Sequence, residues 1–168
     1  YFYRDARGKL CIGPVWDYNN ALDNNFLRPS SSREFLISQR GWYAKLMQDE
    51  DFVERVITRY LYLRKGVLSE ARLVAYEKEV QAWLGSAVDR NFSVWGYSFN
   101  PDMLTSHERH RPYPESGETL RDVNPSSYEE AVEWMMEYMI DRGQWMDDHI
   151  ESLRQYSQPS RVANQTLG

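Results

Sequence analysis

Only two stretches of this chain have the pattern of β-strands, which limits any sheet it builds for itself to two strands. Tyr1 to Arg4 and Lys9 to Trp16 are short aromatic, apolar or β-branched runs. The intervening Asp5-Ala6-Arg7-Gly8 is polar and carries a glycine, the chemistry of a tight connection. A β-hairpin over 1–16 is the simplest arrangement. Such a hairpin is marginal alone, so it has to pack on the helices below or on a sheet supplied by other residues.

After the hairpin the pattern changes. Residues 17–40 are irregular: Asn19, Asn20, Asp23, Asn24 and Asn25 are followed by Pro29 and a serine triplet, side chains that compete for backbone hydrogen bonds. A loop is expected there, with a short helical turn at Ala21-Leu22. Helical spacing starts at Gly41-Trp42, with a first short helix carrying Trp42, Leu46 and Met47. Asp49-Glu50-Asp51 provides an acidic start for a second helix, where negative charge meets the positive end of the helix dipole. Its apolar positions are Phe52, Val53, Val56, Ile57, Tyr60 and Leu63, and Lys65-Gly66 ends it.

A third helix is expected from about Ser69, with Leu73, Tyr76, Val80, Trp83, Ala87, Asn91 and Val94 along one stripe and a bend near Gly85. A second irregular stretch, Asn100 to Pro125, contains Pro101, Pro112, Pro114 and Gly117; loops of this length tend to be functional or mobile. The last helix opens at Ser127-Tyr128-Glu129-Glu130, a capping-box pattern, and carries Tyr128, Ala131, Met135, Met139, Met146, Ile150 and Leu153. Residues 157–168 show no periodicity and are expected to form a flexible tail.

At 168 residues, with 42% hydrophobic content and six Trp, the chain can bury one core. The expected organisation is a single domain over 1–156: hairpin 1–16, loop 17–40 and helical lobe 41–156. Twenty basic residues against 25 acidic give a net charge of −5, which argues against a nucleic-acid or anionic-membrane footprint over the whole surface. No apolar run approaches the roughly 18 residues needed to span a bilayer. One cysteine, Cys11, permits neither an internal disulfide nor a cysteine-based zinc site. With no histidine near it in sequence, it is expected to be an inert thiol. The chain opens on Tyr1 in a strand-like run, and the expectation is a fragment of a larger protein.

Asp17 is the foremost candidate for chemistry. It follows the apolar run and the Gly13-Pro14 turn, a place where a carboxylate either caps a turn or stands at the rim of a core as a metal ligand. Mg2+ takes oxygen donors and needs only one or two protein carboxylates when substrate phosphates complete its shell. Asn19 could add a carbonyl oxygen from the same turn. His107 and His110 flank Glu108 in a polar, proline-ended segment, which favours a solvated loop over a metal site. With Arg109 and Arg111 they also form a small basic cluster, usable for an acidic or phosphorylated partner. The methionines Met135, Met136, Met139 and Met146 are expected in the core, and Trp83, Trp95, Trp134 and Trp145 are expected to pack.

The run Tyr3-Arg4-Asp5, Gly8-Lys9-Leu10, then Gly13-Pro14-Val15-Trp16-Asp17-Tyr18-Asn19 and Ala21-Leu22 resembles the signature of the CotH kinase family, named after spore coat protein H. The resemblance continues more loosely through Gly41-Trp42, Leu46, Asp51-Phe52, Arg90-Asn91-Phe92 and Trp95, and reaches Trp134, Arg142 and Trp145. It implies a mainly α (α+β) fold: a short N-terminal hairpin and a helical lobe, like the C-terminal lobe of a divergent protein kinase. It further implies that Asp17 plays the part of the metal-binding aspartate of the kinase Asp-Phe-Gly segment.

The family's second aspartate falls at Asn19, which keeps an oxygen but loses a charge, and Ala-Phe-Gly-Asn reads Ala21-Leu22-Asp23-Asn24. On the same resemblance the parent would transfer phosphate from ATP, with Mg2+ or Mn2+, to Ser/Thr of a protein substrate. The nucleotide-covering lobe, the phosphate-binding lysine and the catalytic-loop aspartate are expected upstream, so the fragment alone should be inactive, and no cofactor is needed for its folding. The missing N-terminal lobe of the same chain is then a partner, while nucleic acid is not, and the setting is a spore coat, a cell surface or the exterior. The alternative is a non-catalytic structural or adhesive module with a degenerate kinase-like site.

Overall fold

The computed structural model describes residues 2–13, 21–22, 35, 41–104 and 125–157. The fold is mainly helical, with one short antiparallel hairpin at the N-terminus followed by helices. Its residues group into two compact units, 1–30 with 97–135 and 31–96 with 136–168.

In the first unit, β1 (Phe2–Tyr3) pairs with β2 (Cys11–Ile12) antiparallel, Phe2 opposite Ile12 and Tyr3 opposite Cys11. Asp5 to Gly8 close the connection as the sequence implies. The Gly8 amide donates to the Asp5 carbonyl at 2.9 Å, and Arg4 Nε donates to the Gly8 carbonyl at 2.9 Å. Cys11 is half-buried, and its Sγ lies 3.6 Å from the Lys9 carbonyl.

Short 3-10 segments follow at Gly96–Phe99 and Pro101–Met103. The start of the last helix is capped by side chains. Ser127 Oγ accepts from the Glu130 amide at 3.1 Å, while the Glu130 carboxylate accepts from Ser126, amide and hydroxyl, at 2.6 and 2.7 Å. The reciprocal half of the capping box has therefore moved back one residue, from Ser127 to Ser126.

The second unit holds α1 (Gly41–Leu46), α2 (Glu50–Arg64), α3 (Glu70–Leu84), α4 (Ala87–Trp95) and the larger part of α5 (Tyr128–His149), which runs on as a 3-10 segment over Ile150–Tyr156. Asp49 caps α2, its Oδ1 accepting from the Phe52 amide at 2.8 Å, and Glu50 and Asp51 add negative charge to the first turn. Ser69 caps α3 in the same way.

The core is Met47, Val53, Ile57, Ile150 and Leu153, with Phe35, Phe52, Val56, Tyr60, Met146 and Tyr156 packed around it. Val53 and Ile57 are one turn apart on α2. Ile150 and Leu153 are three apart on the 3-10 segment, where that spacing aligns them on one side. Each such side chain contributes roughly 1.5–3 kcal/mol by burial, and together they fix α2 against the end of the chain.

Two expectations need correction. The third helix does not bend at Gly85 but breaks into α3 and α4, because Gly85 adopts φ 46°, ψ −132°, a conformation closed to residues with a Cβ. The tryptophans also divide. Trp134 and Trp145 are half-buried, but Trp83 is 83% and Trp95 53% exposed, and neither α3 nor α4 has a fully buried residue. Met135, Met136, Met139 and Met146 are half-buried, and Met146 packs on the core.

Candidate functional site

The hairpin leads directly toward the metal-ligand candidates. β2 ends at Ile12, and Gly13 takes φ 141°, which only glycine adopts without strain, so the chain leaves the strand at this residue. Asp17 and Asn19 come next and lie outside the described residues. Beyond them Ala21 carries 3-10 geometry and Leu22 a bend. His107 and His110 are also outside the described residues, as is the stretch 158–168 read as a tail. Among the described residues no group of three or more His, Cys, Asp or Glu could hold a metal ion, and no helix is long and apolar enough to cross a membrane.

The second unit contains a polar cluster that the sequence did not announce. Arg64, on the last turn of α2, donates from Nε and Nη2 to both carboxylate oxygens of Asp147 on α5, at 2.7–2.9 Å. Its Nη1 takes the Leu68 carbonyl just before α3. Tyr60 donates to Asp147 Oδ1 at 2.8 Å and lies 3.2 Å from the Gly143 carbonyl.

The Arg64 guanidinium holds the Asp147 carboxyl below its usual range, with Tyr60 assisting. Burial, with the Asp147 hydrogen bond, pushes the Tyr60 phenol up. The cluster is thus Arg+, Asp− and neutral Tyr, with the guanidinium donors satisfied. That composition ties helices together; it leaves no group poised to move a proton.

Gly143 explains why the guanidinium can lie there. A Cβ at this position would stand 2.9–3.1 Å from Arg64 Nη2, Cζ and Nη1. A glycine in mid-helix is the one hint the sequence carried.

One turn further along α5, Arg142 lies over the Trp145 ring at 5.1 Å and the Phe35 ring at 5.9 Å. Trp145 stacks on His149 with centroids 4.5 Å apart. Phe35 meets Trp145 at 4.8 Å. Arg142 and Trp145, two of the late positions in the resemblance, thus share one aromatic cluster.

The solvent face of α2 carries an open depression of about 740 Å3 lined by Asp51, Glu54, Arg55, Thr58, Arg59 and Tyr62. Its charges are of both signs, and Glu54 is already engaged by Arg154, which also reaches Glu151. The Arg154 guanidinium in turn holds the Glu54 carboxyl below its usual range. A single helix lines it, and its mixed charges are those of a solvated face.

A hairpin ending in a Gly-Pro turn before Asp17, followed by a helical lobe, is the arrangement of a kinase-like C-terminal lobe. Comparison with protein families matches residues 1–146 to the family described as CotH kinase protein, and the chain belongs to that family. No curated protein and no solved structure matches it.

Proposed function

We propose that this chain is part of an atypical protein kinase that transfers phosphate from ATP to Ser or Thr of a protein substrate, with Asp17 as the metal-binding aspartate. The observation that carries this reading is family membership over residues 1–146, which includes Gly13-Pro14-Val15-Trp16-Asp17. The chemistry of the donor set is compatible with Mg2+ or Mn2+. Asp17 offers a carboxylate and Asn19 a carbonyl oxygen, both hard donors, and nucleotide phosphates and water complete an octahedral shell. Bound there, the ion would offset charge developing on the transferred phosphoryl group. The contribution of this chain is to hold that ion where the hairpin ends, with Gly13 setting the direction in which the chain departs.

A second reading is a structural or adhesive module whose kinase-like site has lost catalysis. Asn19 favours it, since replacing a carboxylate by a carboxamide removes one charge from the metal site. The two are separated by incubating the longest form of the protein that contains this chain with labelled ATP, Mn2+ and a Ser/Thr-rich acceptor protein. The kinase reading expects label on the acceptor, abolished by Asp17→Ala. Absence of transfer in wild type and variant alike would leave the structural reading standing.

A further inference from the structure

The hairpin has features that the phosphoryl-transfer reading does not use. Its sheet has only two strands, of two residues each, so both outer edges are without a ladder partner among the described residues. One face is apolar. Phe2 and Ile12 are cross-strand partners, and Leu10 lies two residues before Ile12, so the three share a side. They are 49%, 49% and 65% exposed.

The connection and its flanks are basic. Arg4, Arg7 and Lys9 face a single carboxylate, Asp5, giving a local charge of +2 in a chain whose net charge is −5. Arg4 places Nε on the Gly8 carbonyl, and among the described residues none of the three cations forms an ion pair with a carboxylate.

We propose that this hairpin is a docking edge for an extended acidic segment of another polypeptide, which adds to the sheet as a third strand and covers Phe2, Leu10 and Ile12. Each property selects one feature of the partner. Open backbone donors and acceptors are satisfied by an extended chain and not by a helix, whose own backbone groups are already paired. Alternating residues of an added strand fall on the apolar face, and carboxylates on the others meet Arg7 and Lys9. A second copy of this chain is a poor occupant. Pairing two hairpins edge to edge would bring cation against cation.

The test uses the full chain and fluorescein-labelled decapeptides followed by anisotropy. One peptide alternates valine with glutamate, a second alternates valine with lysine, and a third is the glutamate peptide with alternate backbone nitrogens methylated. The glutamate peptide is expected to bind about tenfold more tightly than the lysine peptide at low ionic strength, with the difference shrinking as salt is raised. Methylation should abolish binding, because it removes the strand's donors. Replacing the exposed cations together, Arg7→Glu with Lys9→Glu, should reverse the preference between the two unmethylated peptides while the far-ultraviolet spectrum is unchanged.

Equal binding of the glutamate and lysine peptides would overturn the proposal, as would retained binding of the methylated peptide or no binding at millimolar peptide. Self-association of the chain that occludes the hairpin would overturn it as well.

Discussion

Replacing Gly143 by alanine should destabilise the protein, although the same change in an ordinary helix interior stabilises. Alanine gains about 1 kcal/mol of helix propensity over glycine. Here the new methyl would lie 2.9 Å from Arg64 Nη2 and 3.0 Å from Cζ. The guanidinium can yield only by weakening its paired bonds to Asp147 and its bond to the Leu68 carbonyl.

Hydrogen bonds to charged groups contribute roughly 1.5–3 kcal/mol each. Asp147 is 43% exposed, so solvent screening reduces that figure, and a loss of about 2 kcal/mol is the reasonable scale. The net expectation is about 1 kcal/mol of destabilisation, a fall of roughly 2–4 °C in Tm for a chain of this size. The control is a double-mutant cycle. With Arg64 already replaced by methionine, Gly143→Ala should become stabilising by up to about 1 kcal/mol, since no guanidinium remains to displace. Thermal melts followed by circular dichroism on the four proteins read this directly. A stabilising Gly143→Ala in the wild-type background, or the same sign in both, would refute the close-approach argument.

Ile57 is 2% exposed at the centre of the core, so Ile57→Ala should lower stability by roughly 2–5 kcal/mol in urea unfolding. The Arg64–Asp147 pair gives a pH dependence. Because the folded-state pKa of Asp147 is held below its unfolded value, its stabilisation is present above the usual carboxylate range and is lost as pH falls through the folded pKa. Asp147→Asn should flatten the acid side of the stability–pH profile, and an unchanged acid limb would contradict the assignment. Trp83→Gln, at an 83% exposed position, should change stability by less than about 0.5 kcal/mol in the same urea assay.

Local chemistry accounts for what was legible in the sequence. Asp5 to Gly8 marked the hairpin connection, Asp49 the start of α2 and Ser127 the start of α5, because turns and caps are made by residues close together in the chain. The break at Gly85 was read as a bend. The spacing from Trp83 to Ala87 continues the stripe in phase, and nothing in the residue name reveals a φ of 46°. Likewise Ile150 and Leu153 fit an α-helix and a 3-10 segment equally well. The α3 stripe predicted burial for Trp83, but apolar spacing specifies a face without specifying a neighbour. Arg64 and Asp147 are 83 residues apart, and such pairs are set by packing that periodicity does not encode. The candidate metal ligands were legible as a motif, through Gly13-Pro14-Val15-Trp16-Asp17, and not through any pattern of local structure.

The central claim is that Asp17 binds the metal ion of a phosphoryl-transfer site. It is tested most directly by measuring Mn2+·ATP affinity for the wild-type protein, Asp17→Ala and Asn19→Asp. The account predicts that Asp17→Ala weakens binding by about a hundredfold or more, whereas Asn19→Asp, which restores a charge, tightens it by about tenfold. Wild-type affinity in Asp17→Ala, with the fold intact, would contradict it.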